Sequence, residues 1–315
     1  MLKPISRSGG RAVGRFSKTV IALLLLVGIA YYWLLVNAGP RGVPARPFDI
    51  AALRAAANAE RGAKPTGITL ATRRIPSASL AAGTGLRHVT SGVIAWRIET
   101  PGGGILLDPG LSPTDAEAMG FTRYNKAGMA VVDGWMDRAE LILFSHAHVD
   151  HVGRFLDHPR FDDIAGKALI TPGMLGGINA LWRENGSHIA KTRDLGPIEA
   201  VAPGVVVIQT PGHTPASQMI YVQLASGREY IFTGDTASLA PNFERATPRS
   251  RLVSDILVPE DRPAVIGWLK GLKALKERNN ALVLLPSHDA DWVQENAATF
   301  GIVPEPGSGA KLPQH

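Results

Sequence analysis

The chain has no cysteine among its 315 residues, so it forms no disulfide bond and offers no thiolate to a metal ion. Any metal ion must therefore be bound by imidazole nitrogens and carboxylate oxygens. An oxidising compartment is permitted, because nothing in the chain depends on reduced thiols. With 45% hydrophobic residues, the chain is long enough for one large domain with a full core, or for two modest ones.

Acidic residues are missing from the start of the chain, where the first is Asp49. The net charge of +6 arises in this segment, and the rest of the chain is close to neutral. A nucleic-acid partner would require basic residues clustered within the folded part, so the charge pattern disfavours one. The early basic residues are Lys3, Arg7, Arg11, Arg15, Lys18, Arg41 and Arg46.

A long apolar run without charge extends from Thr19 to Val36. Its length predicts one transmembrane helix, with Tyr31 to Trp33 at the membrane interface. Because residues 1–18 are basic, we expect them in the cytoplasm, with the rest on the periplasmic or extracytoplasmic side of the inner membrane. The alternative is a signal peptide cleaved near Val36-Asn37-Ala38, which would give a secreted protein.

The remainder divides by composition. Residues 37–66 contain several prolines and an Ala-rich stretch, Ile50 to Ala63, and are predicted to form a stalk with a short helix. Residues 67–304 are predicted to form one domain, and residues 305–315 a disordered tail. An amphipathic helix is predicted from Arg262 to Lys276. Strands are predicted at Gly92–Ile98, Gly104–Leu107, Leu141–Phe144, Ala168–Thr171, Val205–Gln209, Met219–Gln223, Tyr230–Phe232 and Ala281–Leu285.

The strongest chemical signal follows the apolar strand that ends at Phe144. Four potential metal ligands stand within six residues there: His146, His148, Asp150 and His151. On an extended chain His146 and His148 project to the same side, and the following turn can direct the other two to a neighbouring position. The spacing therefore suits two adjacent metal ions better than one.

Three further apolar strands end in a polar candidate. Val205–Gln209 leads to His213 in PGHTP, Tyr230–Phe232 leads to Asp235 in TGD, and Ala281–Leu285 leads to His288 in SHD. Loops at strand ends are where a rigid scaffold displays its functional groups. Each motif is weak by itself, and their joint occurrence in this order is informative.

HxHxDH, PGHTP, TGD and SHD in this order resemble the metallo-β-lactamase superfamily over residues 67 to 304. The resemblance implies an α+β fold, a four-layer αββα sandwich, here preceded by one N-terminal transmembrane helix. It also implies a binuclear zinc hydrolase, with iron or manganese as other metals that such ligands accept.

The family pattern also implies a role for each site residue. His146, His148 and His213 would bind the first ion, Asp150, His151 and His288 the second, and Asp235 would bridge them. Asp150 would also transfer a proton, and Asp108 in LDPG would orient a ligand. In this family the region between HxHxDH and PGHTP commonly shapes the substrate pocket, so Trp182, Arg183 and Met174 are candidate wall residues, and Ser238, three residues after Asp235, is a fourth.

Fold alone does not settle the substrate, which we expect to be a small molecule. His288-Asp289 resembles the end of acyl-homoserine lactonases, but those enzymes carry a tyrosine three residues after the bridging aspartate, where this chain has Ser238. An ester, a lactone or a related acyl compound is the main expectation. Alternatives are a β-lactam hydrolase, which Asp235 disfavours, a thioesterase or phosphodiesterase, a mononuclear iron enzyme similar to persulfide dioxygenases, and a non-catalytic membrane-tethered binding domain. The oligomeric state does not follow from the sequence.

Overall fold

The computed structural model describes residues 14–58, 65–100, 104–305 and 310–311. The α-helices are α1 Arg15–Tyr31, α2 Ile50–Ala57, α3 Ser77–Leu80, α4 Pro113–Ala118, α5 Lys126–Arg138, α6 Val149–Leu156, α7 Phe161–Ala165, α8 Pro172–Asn179, α9 Ala240–Arg245, α10 Arg262–Arg278 and α11 Ala290–Phe300. The strands are β1 Thr66–Pro76, β2 His88–Ile98, β3 Ile105–Leu107, β4 Arg123–Tyr124, β5 Leu141–Leu143, β6 Ile198–Ala202, β7 Val205–Gln209, β8 Gln218–Gln223, β9 Glu229–Phe232, β10 Val283–Leu285, β11 Val303–Glu305 and β12 Ala310–Lys311. Short 3₁₀ turns lie at Glu184–His188 and Gly234–Thr236, and π-helical turns at Tyr32–Val36 and Leu252–Leu257.

The strands form two sheets within the described residues. The first has the order β12-β4-β1-β2-β3-β5, with β11 paired to β1, and the second has the order β10-β9-β8-β7-β6. Most pairs are antiparallel, but β1 with β11, β3 with β5 and β9 with β10 are parallel. At each parallel pair, two strands deliver their carboxyl ends to the same edge of a sheet.

Successive side chains of a strand point to opposite faces of its sheet, and this alternation divides the core into layers. Val205 and Val207 face the other sheet, where they pack in one cluster with Ile105 and Leu107. Val206, the residue between them, faces helix α10 in a separate cluster. On the other side of the molecule, Leu106 packs in a third cluster with residues of α5 to α8. A period of two thus buries both faces of each sheet, and the result is an αββα sandwich of the α+β class, as expected.

Two differences from the predicted strands have local causes. Ala168–Thr171 is not a strand: only an isolated bridge joins Ala168 to Ile142, and Thr171 caps α8 by accepting a hydrogen bond from Met174 N at 3.2 Å. Pro172 follows at the first helical position, where a missing N–H costs nothing, so the chain turns into a helix. The long strand β1 was not predicted, since Gly67, Arg73 and Arg74 interrupt its apolar pattern.

Helix α1 and the π-helical turn after it form one continuous apolar segment, Arg15–Val36. It is long and apolar enough to cross a bilayer, and none of its residues is fully buried, although its last three, Leu34–Val36, are half-buried against the domain. Length and composition alone fit a signal sequence equally well. Most of the basic segment 1–18 lies outside the described residues.

The segment predicted to be a stalk packs on the domain over much of its described length. Phe48, Leu53 and Ala57 belong to the core cluster that includes α10. Arg46 N donates a hydrogen bond to Gly267 O at 2.9 Å, and a Cβ at Gly271 would overlap Arg46 O, so glycine is required there. Residues 59–64, which include the end of the predicted Ala-rich helix, lie outside the described part.

The tail also departs from the sequence prediction. Ala310–Lys311 pair with β4, where a disordered tail was predicted, and residues 306–309 and 312–315 lie outside the description. A two-residue strand at the edge of a sheet is held by main-chain hydrogen bonds and needs no hydrophobic pattern in its sequence. The composition of the tail therefore did not predict this strand.

Leu53→Ala tests whether the segment before β1 is part of the folded domain. Leu53 is fully buried, so the substitution should lower the free energy of unfolding by about 2–5 kcal/mol. Urea denaturation of the full chain in detergent measures the change, with Ala55→Ser on the exposed side of the same helix as the control. A Leu53→Ala protein as stable as the control would mean that α2 is a loosely attached stalk.

Candidate metal centre

The HxHxDH segment lies where β5 leaves the first sheet. Ser145 to His148 are irregular, and α6 begins at Val149, so Asp150 and His151 stand in its first turn. The extended stretch brings His146 Nε2 to 3.0 Å from His148 Nδ1. The switch from extended chain to helix gives the four side chains two directions, as their spacing predicts.

The other candidates arrive from the ends of strands in the second sheet. His213 follows β7, Asp235 lies in the 3₁₀ turn after β9, and His288 follows β10. Gly234 has a φ of 50°, and a Cβ there would stand 2.7 Å from Ser145 Cβ. The loops from the two sheets can therefore meet only with glycine at this position.

The first group of candidate ligands is three imidazoles. His213 Nε2 lies 3.0 Å from His148 Nδ1, the same distance as His146 Nε2, so three ring nitrogens converge on one point. Nitrogen ligands of one tetrahedral zinc ion with bonds of about 2.0–2.1 Å stand about 3.3 Å apart. The separation matches a single shared ion.

The second group contains a carboxylate and two imidazoles. Asp150 Oδ2 lies 3.6 Å from His288 Nε2 and 3.9 Å from His151 Nε2. His151 Nε2 is buried and has no hydrogen-bond partner among the described residues. Since buried polar atoms are normally paired, this nitrogen is aimed at a group that the protein chain itself does not supply.

The Asp235 carboxylate lies between the two groups. Its Oδ1 is 2.8 Å from His288 Nε2 and 3.4 Å from His151 Nε2. Its Oδ2 is 3.5 Å from His213 Nε2 and 3.8 Å from His146 Nε2. Each oxygen therefore faces a different group, which is the arrangement that a bridging carboxylate requires.

Four of the five rings are held by a hydrogen bond at the nitrogen that faces away from the site. His146 Nδ1 lies 3.0 Å from Ser145 Oγ, and His151 Nδ1 lies 2.9 Å from Asp108 Oδ2. His213 Nδ1 lies 3.0 Å from Glu260 Oε2, and His288 Nδ1 lies 2.8 Å from Gly92 O. Such contacts fix the ring orientation and the tautomer that leaves Nε2 free to bind a metal ion.

Asp108 lies where a group that orients a ligand would lie. Its carboxylate accepts hydrogen bonds from Ser145 N and Ser145 Oγ, both at 2.7 Å, as well as contacting His151. The residue has a φ of 51°, a left-handed conformation that aspartate tolerates better than most side chains. Asp108 thus joins the HxHxDH loop to the strand beside it.

Burial and neighbouring charges shift the pKa values of the histidines in different directions. Burial lowers the pKa of His146 and His213 well below the usual value, so both rings are neutral and able to bind a metal. Burial acts in the same direction on His151, but the Asp108, Asp150 and Asp235 carboxylates outweigh it and raise the pKa well above the usual value.

Two residues that the sequence did not reveal adjoin the site. Arg249 is buried and donates to Asp235 Oδ2, and its charge, with His288 and His151, outweighs burial to hold the pKa of Asp235 well below the usual value. Glu260 is buried against His213, and burial raises its pKa to about 7. Neither residue follows a predicted strand end, so nothing in the local sequence identified it.

A cavity opens onto the candidate ligands. His148, Asp150, Asp235 and His288 form part of its wall, together with the cationic side chains of Arg73 and Arg249. The rest of the wall is mostly apolar, built from Leu80, Met119, Phe121, Val149, Leu181, Val253 and Val258. A cavity lined by candidate metal ligands, two cations and several apolar side chains suits a substrate with both a polar and an apolar part.

None of the four residues predicted to shape the pocket lines this cavity. Trp182 is 92% exposed, and Met174 is buried in the core cluster beneath α8. Ser238 is fully buried and accepts a hydrogen bond from Arg249 Nη2 at 2.7 Å, one layer behind the wall. Leu181, the neighbour of Trp182, reaches the cavity instead.

Arg183 is turned away from the cavity by two carboxylates. Its guanidinium contacts Asp115, and Nη1 lies 3.3 Å from Asp157 Oδ1. An arginine paired with two carboxylates links α4 to the end of α6 and is not free to bind a substrate.

Comparisons with known proteins define the class. The sequence profile described as the Metallo-beta-lactamase superfamily matches residues 85–288, so the chain belongs to this superfamily. It is a metal-dependent hydrolase of that fold. Among curated proteins, "Transcription termination factor FttA" of Methanothermobacter thermautotrophicus is 27% identical over an alignment of 160 residues that covers 44% of this chain and 24% of the relative. The chain thus spans about a quarter of the length of that relative.

Solved structures share the fold at low sequence identity. An N-acyl homoserine lactone hydrolase with the product N-hexanoyl-L-homoserine at its metal centre has a TM-score of 0.58 and 19% identity, over 75% of this chain and 97% of that chain. A mutant of B. thuringiensis AiiA with N-decanoyl-L-homoserine bound has a TM-score of 0.57 and 19% identity, with coverage of 75% and 97%. A probable metal-dependent hydrolase from Staphylococcus aureus has a TM-score of 0.52 and 12% identity, with coverage of 73% and 91%.

Asp108→Asn tests whether Asp108 orients His151. Asparagine preserves the shape and tolerates the left-handed backbone, but it removes the charge opposite the imidazole. We expect zinc affinity to fall about 10- to 100-fold, measured by competition with a chromophoric chelator. Asp49→Asn, which removes an equal charge at the exposed cap of α2, is the control and should leave the affinity unchanged. Equal affinities for the two variants would contradict the role of Asp108.

Proposed function

We propose that this protein is a two-metal hydrolase that cleaves an ester, a lactone or a related acyl compound. The proposal rests on Asp235, whose two oxygens face two separate groups of candidate ligands. His146, His148 and His213 would hold one ion, Asp150, His151 and His288 the other, and Asp235 would contact both. Imidazole nitrogen and carboxylate oxygen ligands suit zinc, and they also suit iron or manganese.

Two divalent ions bound there would supply Lewis acidity and a hydroxide at neutral pH. The residues of the chain would do the rest. Asp150 lines the cavity beside His288, so its carboxylate would exchange a proton with the attacking water and the leaving group. Arg249 carries a buried positive charge at the wall, which would stabilise negative charge that develops on the substrate.

The mixed polar and apolar lining of the cavity supports an acyl substrate. A polar head would lie near the ligands and arginines, and an acyl chain would contact the apolar wall that contains Leu80, Phe121 and Val258. The lactone hydrolases with this fold make N-acyl lactones the natural first compounds to assay. We infer a small-molecule substrate, with no nucleic acid as partner.

We further propose that the segment Arg15–Val36 anchors the protein in the inner membrane by a single pass. Its unburied apolar surface supports a lipid environment, and the basic residues before it favour a cytoplasmic N-terminus. The domain beyond residue 66, with the packed segment that precedes it, would then lie on the extracytoplasmic side.

Asp150→Ala tests the catalytic assignment. We expect hydrolysis to fall about 10²- to 10⁴-fold, since the variant loses a metal-binding carboxylate and a proton-transfer group. The assay uses the full chain and a panel of esters, lactones, thioesters, nitrocefin and bis-nitrophenyl phosphate, before and after chelator treatment. Asp163→Ala, which removes an exposed carboxylate on α7, should retain full activity.

The outcome of that panel also separates the alternatives. Activity confined to nitrocefin would identify a β-lactam hydrolase, and activity confined to thioesters or the phosphodiester would redirect the substrate class. One bound iron would favour an oxygenase, and a protein without metal would favour a binding domain. An Asp150→Ala rate equal to that of the wild type would disprove the proposed site.

Arg73→Gln tests the cationic wall. Arg73 lies over the Phe121 ring at 4.8 Å and donates a hydrogen bond from Nη1 to Met119 O at 2.6 Å, so its guanidinium is held at the cavity wall, where its charge would face a substrate. We expect KM for a lactone or amide-containing ester to rise about tenfold, with kcat changed much less. The neighbouring exposed Arg74, changed to Gln, provides the matched control. A selective fall in kcat, or equal effects of the two variants, would contradict substrate binding by Arg73.

A further inference from the structure

The end of the apolar N-terminal segment is docked on the domain. The Arg251 guanidinium lies over the Trp33 ring at 4.3 Å, and Gly83 N donates a hydrogen bond to Leu35 O at 2.9 Å. Further along, Arg262 Nη1 donates to Ala38 O at 3.2 Å. The helix therefore leaves the domain at a defined place and not through a free linker.

The elements that touch this helix end also build the apolar wall of the cavity. The π-helical turn Tyr32–Val36 contacts α3, and α3 contacts the π-helical turn Leu252–Leu257. Leu80 at the end of α3, together with Val253 and Val258, lines the cavity. The site and the membrane-spanning candidate thus share one side of the molecule.

Large apolar side chains are exposed on the same elements. Ile256 is 59% exposed, Leu257 is 65% exposed, and Leu86, in the loop after α3, is 55% exposed. We call these three residues the apolar rim. Large exposed apolar residues on neighbouring segments often mark an interaction surface, and an aqueous surface would gain nothing from them.

Charge on this side also fits a membrane. Arg87 adjoins Leu86 and is exposed, as is Arg41, which follows the apolar segment by five residues. Basic side chains next to apolar ones match the anionic headgroups and acyl chains of a lipid surface.

The position of Trp33 indicates how far the apolar rim lies from the membrane surface. Tryptophan near the end of a spanning helix prefers the headgroup level, so Arg251, which stacks on it, would lie at that level too. Leu257 is six residues beyond Arg251, within about 9 Å along a helical turn. Interfacial apolar residues enter a bilayer to about 5–10 Å, so the rim is within reach of the acyl chains.

We propose that the apolar rim inserts into the outer surface of a phospholipid bilayer and that the cavity receives substrates whose acyl chains are dissolved in that bilayer. The inference rests on the proposed hydrolase function and narrows its substrate to membrane-partitioned amphiphiles. The substrate would move from the lipid along the rim to the apolar wall, and its polar head would reach the metal centre without a full transfer of the chain through water.

The absence of native cysteine permits a direct test of insertion. The full chain carrying Leu257→Cys and an environment-sensitive fluorophore is reconstituted in vesicles of phosphatidylcholine and phosphatidylglycerol that contain a nitroxide-labelled lipid. We expect blue-shifted emission and strong quenching at this site, but neither at Val131→Cys, which is also exposed but lies on α5. Equal, weak quenching at both sites would overturn the proposal, whatever the activity of the enzyme.

Activity provides the second arm. The double variant Ile256→Ser/Leu257→Ser should hydrolyse a decanoyl lactone in vesicles about tenfold more slowly, while hydrolysis of water-soluble 4-nitrophenyl acetate stays unchanged. Val131→Ser should affect neither substrate. Equal losses on both substrates, or no loss on either, would overturn the proposal. A wild-type protein inactive on both substrates but quenched at residue 257 would refute the proposed function while retaining the membrane contact.

Discussion

The structure depends on one buried carboxylate shared between two clusters of imidazoles. Asp235 is surrounded by His146, His151, His213 and His288, with Arg249 against one of its oxygens. Gathering these groups away from water is costly unless their lone pairs and charges find partners. Two bound cations would provide those partners, and the buried, unpaired Nε2 of His151 is consistent with this requirement.

The fold meets this requirement by bringing strand ends together. The HxHxDH loop follows β5 of one sheet, while His213, Asp235 and His288 follow strands of the other, so each side chain is fixed by a rigid strand behind it. Gly234 lets the two sets of loops approach closely. The hydrogen bonds that Asp108, Glu260 and the Gly92 carbonyl make with the rings hold them in the orientation that a metal ion needs.

Sequence reasoning succeeded where local pattern and function coincide. Apolar runs predicted seven of the twelve strands among the described residues, and four of these runs lead to the seven candidate ligands, because strand periodicity and motif spacing are local properties. It failed where long-range packing decides. Met174 packs into the core beneath α8, Trp182 is exposed just beyond the end of that helix, and Arg249 reaches Asp235 from a segment that carries no motif. The docking of residues 46–57 on α10 likewise depends on contacts across more than 200 positions, which no local pattern encodes.

The central claim concerns two ions on either side of Asp235, and a crystal structure of the zinc-loaded full chain with anomalous scattering at the zinc edge tests it most directly. We expect two peaks about 3.5–4 Å apart, with one Asp235 oxygen on each. The first ion should contact His146, His148 and His213, and the second Asp150, His151 and His288. A single peak held by the three histidines of the first group, with Asp150 and His288 unliganded, would contradict the account.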